Sequence, residues 1–181
     1  MIDTLLQQLE ASFDIINIEH GRKGLTNISV ERSRAETLLR ELRDKHDYAH
    51  LSFVTAVDWI EEDELELVYM VHNFKTHHSL SVHVRLPRDN PSMDSIHKLW
   101  AQGWTYQREL REMYGIDFPG SPRLHEDFML EGWDDMPPML RDFNTEEYST
   151  ENFGHREGRQ SEDPREYMRN NLYPNRGGDA Q

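Results

Sequence analysis

Ile2, Leu5, Leu6, Leu9 and Phe13 recur at helical spacing, so the chain opens with an amphipathic helix. "DIINIEH" and "LTNISV" follow as two short strand-like runs, with "GRKG" turning between them. Helical spacing returns in "SRAETLLRELRDKH", where Ala35, Leu38, Leu39 and Leu42 form the stripe to be buried. Ser33 and Glu36 have capping-box spacing, and Glu36 precedes Arg40 by four residues, the favourable order for a helical ion pair. The period then drops to two. In "LSFVTAVDWI" the positions Leu51, Phe53, Val57 and Trp59 share one face; Leu65, Leu67, Tyr69 and Val71 do so in "ELELVYMVH", and Leu80, Val82, Val84 and Leu86 in "SLSVHVRL". The acidic "EED" and polar "KTHH" turns make these three a meander with one covered face.

"PRDNPSMDS" is turn chemistry with Asp94 or Ser95 as N-cap, and Ile96, Leu99, Trp100 and Trp104 predict a helical stretch broken at Gly103. A last helix runs from Thr105 to Tyr114. Gly115 followed by Ile116 has the form of a Schellman C-cap. The order α-β-β-α-β-β-β-α predicts an α+β fold, an antiparallel or mixed sheet with helices packed on one face. We place this domain at residues 1–115, an extended Pro-rich docking segment at 116–150, and a polar tail ordered only by a partner at 151–181.

Composition sharpens that division. Apolar residues make up 36% of the 181-residue chain and charged residues 30%, which leaves surplus polarity to be concentrated in the last third. The formal net charge of −14, with no Lys/Arg run, argues against nucleic acid or anionic lipid as a partner. "MIDTLLQQLEASF" does not read as a secretion signal, and no apolar run approaches membrane-spanning length. The expectation is a cytoplasmic protein that meets a membrane only through a partner. With no cysteine, the chain has no thiol nucleophile and no thiolates for an iron–sulfur cluster.

Three constellations could carry chemistry. His72, His77, His78 and His83 surround one predicted hairpin and read either as a metal site or as polar strand faces. "DWIEEDELE" is acidic but lacks the glycine and spacing of a calcium loop, and reads as a solvated turn. On the last helix Arg108, Glu109 and Glu112 share a face. Glu109 and Glu112 at i,i+3 form an acid–base pair if buried together, and an ordinary solvated face otherwise.

The stretch "QRELREMYGIDFPGSPRL" and the later "PMLRDF" resemble the signature of the 30-kDa (C) subunit of respiratory complex I and its relatives in energy-converting hydrogenase-type complexes. That signature reads Glu-Arg-Glu-x-x-Asp-x-x-Gly-Ile-x-Phe-x-Gly-His-Pro-x-Leu, followed by Pro-Leu-Arg-Lys-Asp-Phe. "LSFVTAVDW", "ELELVYMVHNF" and "SLSVHVRLPRDNPSMDSIHKLWAQGW" fit upstream, so the resemblance spans about residues 35–143. The chain departs from it at Gln107, Glu112 and Ser121, which stand for Glu, Asp and His, and at Leu140 and Arg141, which stand for Arg and Lys.

The resemblance implies a divergent, cofactor-free accessory subunit with no catalytic residues of its own. It implies a peripheral position on the cytoplasmic side of the membrane, in a hetero-oligomer that supports electron transfer to quinone and coupled ion translocation. The implied partners are a 49-kDa-like or hydrogenase-large-like subunit and an iron–sulfur small subunit, whose clusters carry the electrons. The partner-interface residues it implies are Arg108, Glu109, Glu112, Gly115, Ile116, Phe118, Gly120, Pro122, Leu124, Trp133, Pro138, Arg141, Asp142 and Phe143. An equivalent subunit of a membrane-bound hydrogenase or ferredoxin-dependent complex is the nearest alternative. A freestanding metal-dependent hydrolase or a binding module is the alternative of another class.

Overall fold

The computed structural model describes residues 2–154. Residues up to Phe143 form one compact unit, and Asn144 begins a second. The first unit contains α1 (Ile2–Ser12), β1 (Ile15–His20), β2 (Leu25–Val30), α2 (Arg32–His46), β3 (His50–Trp59), β4 (Glu64–Asn73), β5 (His78–Pro87) and α3 (Gly103–Tyr114). The second holds α4 (Thr145–Phe153), whose N-cap Asn144 accepts from the N–H groups of Glu146 and Glu147. The tail expected at 151–181 falls almost wholly outside the described residues.

The sheet order is β1-β2-β5-β4-β3. β3, β4 and β5 form the expected antiparallel meander, while β2 runs parallel to β5, so the sheet is mixed. That parallel pair follows from α2: a helix between β2 and β3 carries the chain across the sheet, and the meander then returns to lie beside β2. Leu6 and Leu9 of α1, the Ala35–Leu42 stripe of α2 and Leu110 of α3 join the inward residues of β2 to β5 in one core. The inward rows of β4 and β5 are those that the alternation predicts: Leu65, Leu67, Tyr69 and Val71, and Leu80, Val82, Val84 and Leu86 are all buried.

β3 departs from its predicted phase. Its register against β4 slips between Leu51 and Phe53, so the strand carries a bulge at Ser52. Because side chains alternate strictly along a strand, one extra residue sends everything after it to the other face. Val54, Ala56 and Asp58 therefore point inward, while Phe53 and Val57 stand 40% exposed on the outer face.

Two local expectations also change. α2 begins at Arg32, a residue before Ser33, with Glu31 as N-cap and no side-chain cap bond, so the capping box does not form. The Glu36–Arg40 pair does form. Residues 96–102 make turns rather than a helix, and α3 starts at Gly103, where a Cβ would stand 3.0 Å from the Ile96 side chain. In these turns Trp100 Nε1 and Gln102 Nε2 donate to the carbonyls of Ala49 and Leu51, at 2.7 and 2.6 Å, and Tyr106 Oη of α3 donates to that of Ser52.

Candidate functional site

The signature region begins on α3 and continues through an irregular segment, residues 115–143, that folds back over the end of the helix. Gly115 makes the turn. It sits at φ 76°, its N–H donates to Arg111 O, and Ile116 N donates to Leu110 O, so the helix closes with the bond of the left-handed αL cap and not with the bond pair of the Schellman motif that Gly115 and Ile116 suggested. Glycine is needed twice here, since a Cβ would also stand 3.3 Å from Pro137 Cγ. Beyond the turn, Ile116 and Phe118 are wholly buried in the chain's own core and Leu124 is buried beside them. These three residues hold the segment onto its own domain and offer no side-chain surface to a partner. Asp117 is bridged to Ser92 through backbone bonds with Pro91 and Met93.

The charged face of α3 also turns inward. Arg108 is 9% exposed; its guanidinium lies 5.5 Å from the Trp104 ring and 5.3 Å from that of Phe128. It donates to the carbonyls of Glu126 and Asp127 at 3.2 and 2.6 Å. One turn on, Glu112 accepts the N–H of Phe128 at 2.8 Å on one oxygen, and those of Met129 and Leu130 at 2.8 and 3.2 Å on the other. Arg108 and Glu112 thus grip opposite polarities of the same loop, the cation taking its carbonyls and the anion its amides. Both Glu112 oxygens are committed to backbone donors and Glu109 does not join them, so no proton-sharing carboxylate pair is assembled.

Two departures from the signature meet. Gln107 is fully buried, and its Oε1 accepts from Ser121 Oγ at 2.8 Å and Ser95 Oγ at 2.7 Å. The amide and the hydroxyl occupy the Glu and His positions of the family pattern and bond to each other. One change accommodates the other, and no charge is buried. Gly120 and Pro122 lie exposed on either side of Ser121.

The far end of the segment is fastened to β3. Met139 N donates to Met113 O, and Arg141 N donates to Asp58 Oδ2 at 2.8 Å. Asp58, whose side chain is only 1% exposed, also takes both arms of Arg88 at 2.9 and 3.1 Å, and Arg88 reaches Asp142 at 2.6 Å. Burial pushes the Asp58 carboxyl up, but the bonds from Arg88 and the Arg141 N–H, with the Arg88 charge, outweigh it and hold it below the usual range. The Arg88 bond likewise lowers the Asp142 carboxyl. Arg141 sends its side chain to Glu61 at 2.6 Å on the surface. Pro138 is half-buried, and the Trp133 and Phe143 rings meet edge-on at 5.6 Å.

Asp58 and Arg88 are the residues that sequence reasoning missed. No letter of the sequence marked Asp58 as buried, because only the bulge in β3 turns its position toward the core.

The histidines do not converge. His72 bonds Ser79, His78 lies near Tyr48 and Thr26, and His83 lies between Ser81 and Glu66. No three His, Asp or Glu side chains among the described residues are placed to hold one metal ion. Ser81 Oγ, His83 and Glu66, at 2.7 and 3.0 Å, have the order of a nucleophile–base–acid relay. Ser81 is buried, however, and lies on β5, which is paired on both sides, so its neighbouring N–H groups belong to the ladder and cannot stabilise an oxyanion.

The family described as respiratory-chain NADH dehydrogenase, 30 Kd subunit, matches residues 28–149. The chain belongs to this family. It is 31% identical over 155 residues to the C subunit of the NADH-quinone oxidoreductase of Erythrobacter litoralis, covering 83% of this chain but 60% of that one. It is also 31% identical over 147 residues to the C subunit of the F(420)H(2) dehydrogenase of Methanosarcina mazei, covering 77% of this chain and 90% of that protein. The fold matches a chain in the structure of the membrane-bound sulfane sulfur reductase, an archaeal respiratory membrane complex. That match has a TM-score of 0.77 and 24% identity, over 90% of this chain and 95% of that one. Among the described residues of this 30 Kd subunit family member, no helix is long and apolar enough to cross a membrane.

Proposed function

We propose that this family member is a structural subunit of the peripheral arm of a membrane-bound respiratory oxidoreductase, docking on a 49-kDa-like large subunit beside an iron–sulfur small subunit on the cytoplasmic side. The observation that carries the reading is the use made of two signature charges and of an ion pair outside the signature. Arg108, Glu112, Asp58 and Arg88 all hold residues 115–143 in one shape, and none converges on a point where a substrate could react. The chain is then a shaped support, and electron transfer to quinone and coupled ion translocation belong to its partners. The absence of cysteine supports a chain without an iron–sulfur cluster of its own, the clusters lying in partner subunits.

On this reading residues 116–150 are the docking segment, and residues 151–181 follow it onto a partner. Its candidate anchors are the residues left at the surface, Gly120, Pro122, Trp133, Pro138, Arg141, Asp142 and Phe143, joined by Glu109 of the preceding helix. The tagged chain, purified from its native membrane with the oxidoreductase, is expected to carry the large and small subunits in equal ratio. Arg141→Ala is expected to lower its retention in the complex while leaving the isolated chain folded; full retention overturns this placement of the interface.

A second reading places the chain in a complex not fed by NADH, such as a hydrogenase-type or ferredoxin-dependent one. It is favoured by the fuller coverage of the F(420)H(2) dehydrogenase relative and by the paired Gln107–Ser121 departure. Subunit identification in the same preparation separates the two, since a flavin-containing NADH module supports the first and its absence the second.

A further inference from the structure

Among the described residues, no internal contact explains the outer face of β3 and β4. Phe53 and Met70 are opposite each other in the register, as are His50 and His72, and Phe74 rests against both histidine rings at 5.2 and 4.8 Å. Phe74 is 65% exposed, and Phe53 and Val57 are 40% exposed. With half-buried Met70 these side chains put on the order of 300 Å² of apolar surface along one side of the sheet, the size at which a surface patch usually has a use. The Ser52 bulge creates it, because in its absence the alternation would turn Phe53 and Val57 toward the core. Bulges often re-aim side chains at functional edges.

The stripe is polarised. Glu61, Glu62, Asp63 and Glu64 crowd its β3–β4 end, where Arg85 meets Glu62 and Glu64 and Arg141 meets Glu61. Four carboxylates therefore face two guanidinium groups, and negative charge is left over. Arg85 is itself fixed, stacked 4.7 Å from the Trp59 ring.

We infer that the outer face of β3 and β4 is a docking surface for a partner-subunit segment that lays apolar side chains over Phe53, Met70 and Phe74 and sets Lys or Arg beside the β3–β4 turn. The surplus acidity at one end selects the cations and fixes the direction in which the segment lies. The aromatic end supplies the desolvated anchors. The inference rests on the subunit reading above, and adds to it a second interface on the side of the sheet away from α1, α2 and α3.

The test compares the free full-length chain with the same chain in the purified respiratory complex by hydroxyl-radical footprinting. A photo-crosslinker at Phe74 identifies the neighbour. Oxidation of Phe53, Met70 and Phe74 is expected to fall at least about threefold on assembly. The crosslinked peptide should combine apolar residues with Lys or Arg and come from another subunit. Phe53→Ser and Glu62→Lys should each weaken retention of the chain in the complex, about tenfold for Phe53→Ser. Circular dichroism of the free variants checks that they remain folded; if Phe53→Ser fails to fold, Phe74→Ser, beyond the strand end, replaces it. Equal oxidation in both states, or a crosslink to a second copy of this chain, overturns the inference while a co-purifying chain leaves the subunit reading standing. A chain that brings down no oxidoreductase subunits overturns both.

Discussion

Asp58→Ala is the substitution with the most to say about how the signature region is held. The wild-type carboxylate takes two bonds from Arg88 and one from the Arg141 N–H, with side-chain exposures of 1% for Asp58 and 17% for Arg88. Removing one member of a buried ion pair costs about 3–5 kcal/mol, because the other is left desolvated and uncompensated. Here Asp142 stays on Arg88 and some solvent reaches the guanidinium, so the lower end applies and about 3 kcal/mol is expected. Urea unfolding followed by tryptophan fluorescence and far-ultraviolet circular dichroism measures it. A double-mutant cycle with Arg88→Met should give a coupling of about 2 kcal/mol. The pH dependence has a definite sign. The folded carboxyl lies below its unfolded value of about 3.9. The stabilisation is therefore fully present above that value and is lost as pH falls through the folded one. The gap between wild type and Asp58→Asn should close on acidification below that window. A loss under about 1 kcal/mol at pH 7, or a gap that persists once the carboxyl is protonated, would refute the clamp.

Glu112→Ala strips three backbone N–H groups of their acceptor, and should cost about 1–3 kcal/mol and open residues 126–131 to limited proteolysis at a lower protease dose. Gly115→Ala forces a Cβ into a left-handed turn and against Pro137, with about 1–2 kcal/mol lost in thermal unfolding. Gln107→Glu puts a carboxyl at a fully buried position between two hydroxyls, so its folded pKa rises above the unfolded one. The folded state then binds the extra proton, and the variant's melting temperature should rise relative to wild type as pH falls from neutral toward 5. Gln107→Glu with Ser121→His should recover stability near neutrality if the imidazole is protonated beside the carboxylate, read as a positive coupling in the same melts.

β4 and β5 were legible because a strand paired on both sides with one covered face must alternate, and theirs does so without interruption. β3 was not, because a bulge is a tertiary fact: "LSFVTAVDWI" alternates equally well in either phase, and only pairing with β4 shows where the extra residue sits. The Gly115 cap was legible from two adjacent letters, since the left-handed turn is local. The work done by Arg108 and Glu112 was not. Spacing places them on one helix face, but what they bond is the backbone of residues 126–130, which returns only because Ile116, Phe118 and Leu124 are drawn into the core. The resemblance pointed to Arg108 and Glu112, while the direction in which they act, toward the chain's own loop, emerges only from the fold.

The side chains of Trp100, Gln102 and Tyr106 have a consequence for how this sheet can be extended. By occupying the carbonyls of residues 49, 51 and 52 they seal the beginning of the β3 border against any strand that would zip onto it. The opposite border, β1, is a six-residue strand with its own irregularity between Ile15 and Asn17, which gives an added strand little straight ladder to follow. Strand addition is thereby limited to the later part of the β3 border, and copies of this chain have few places from which to polymerise.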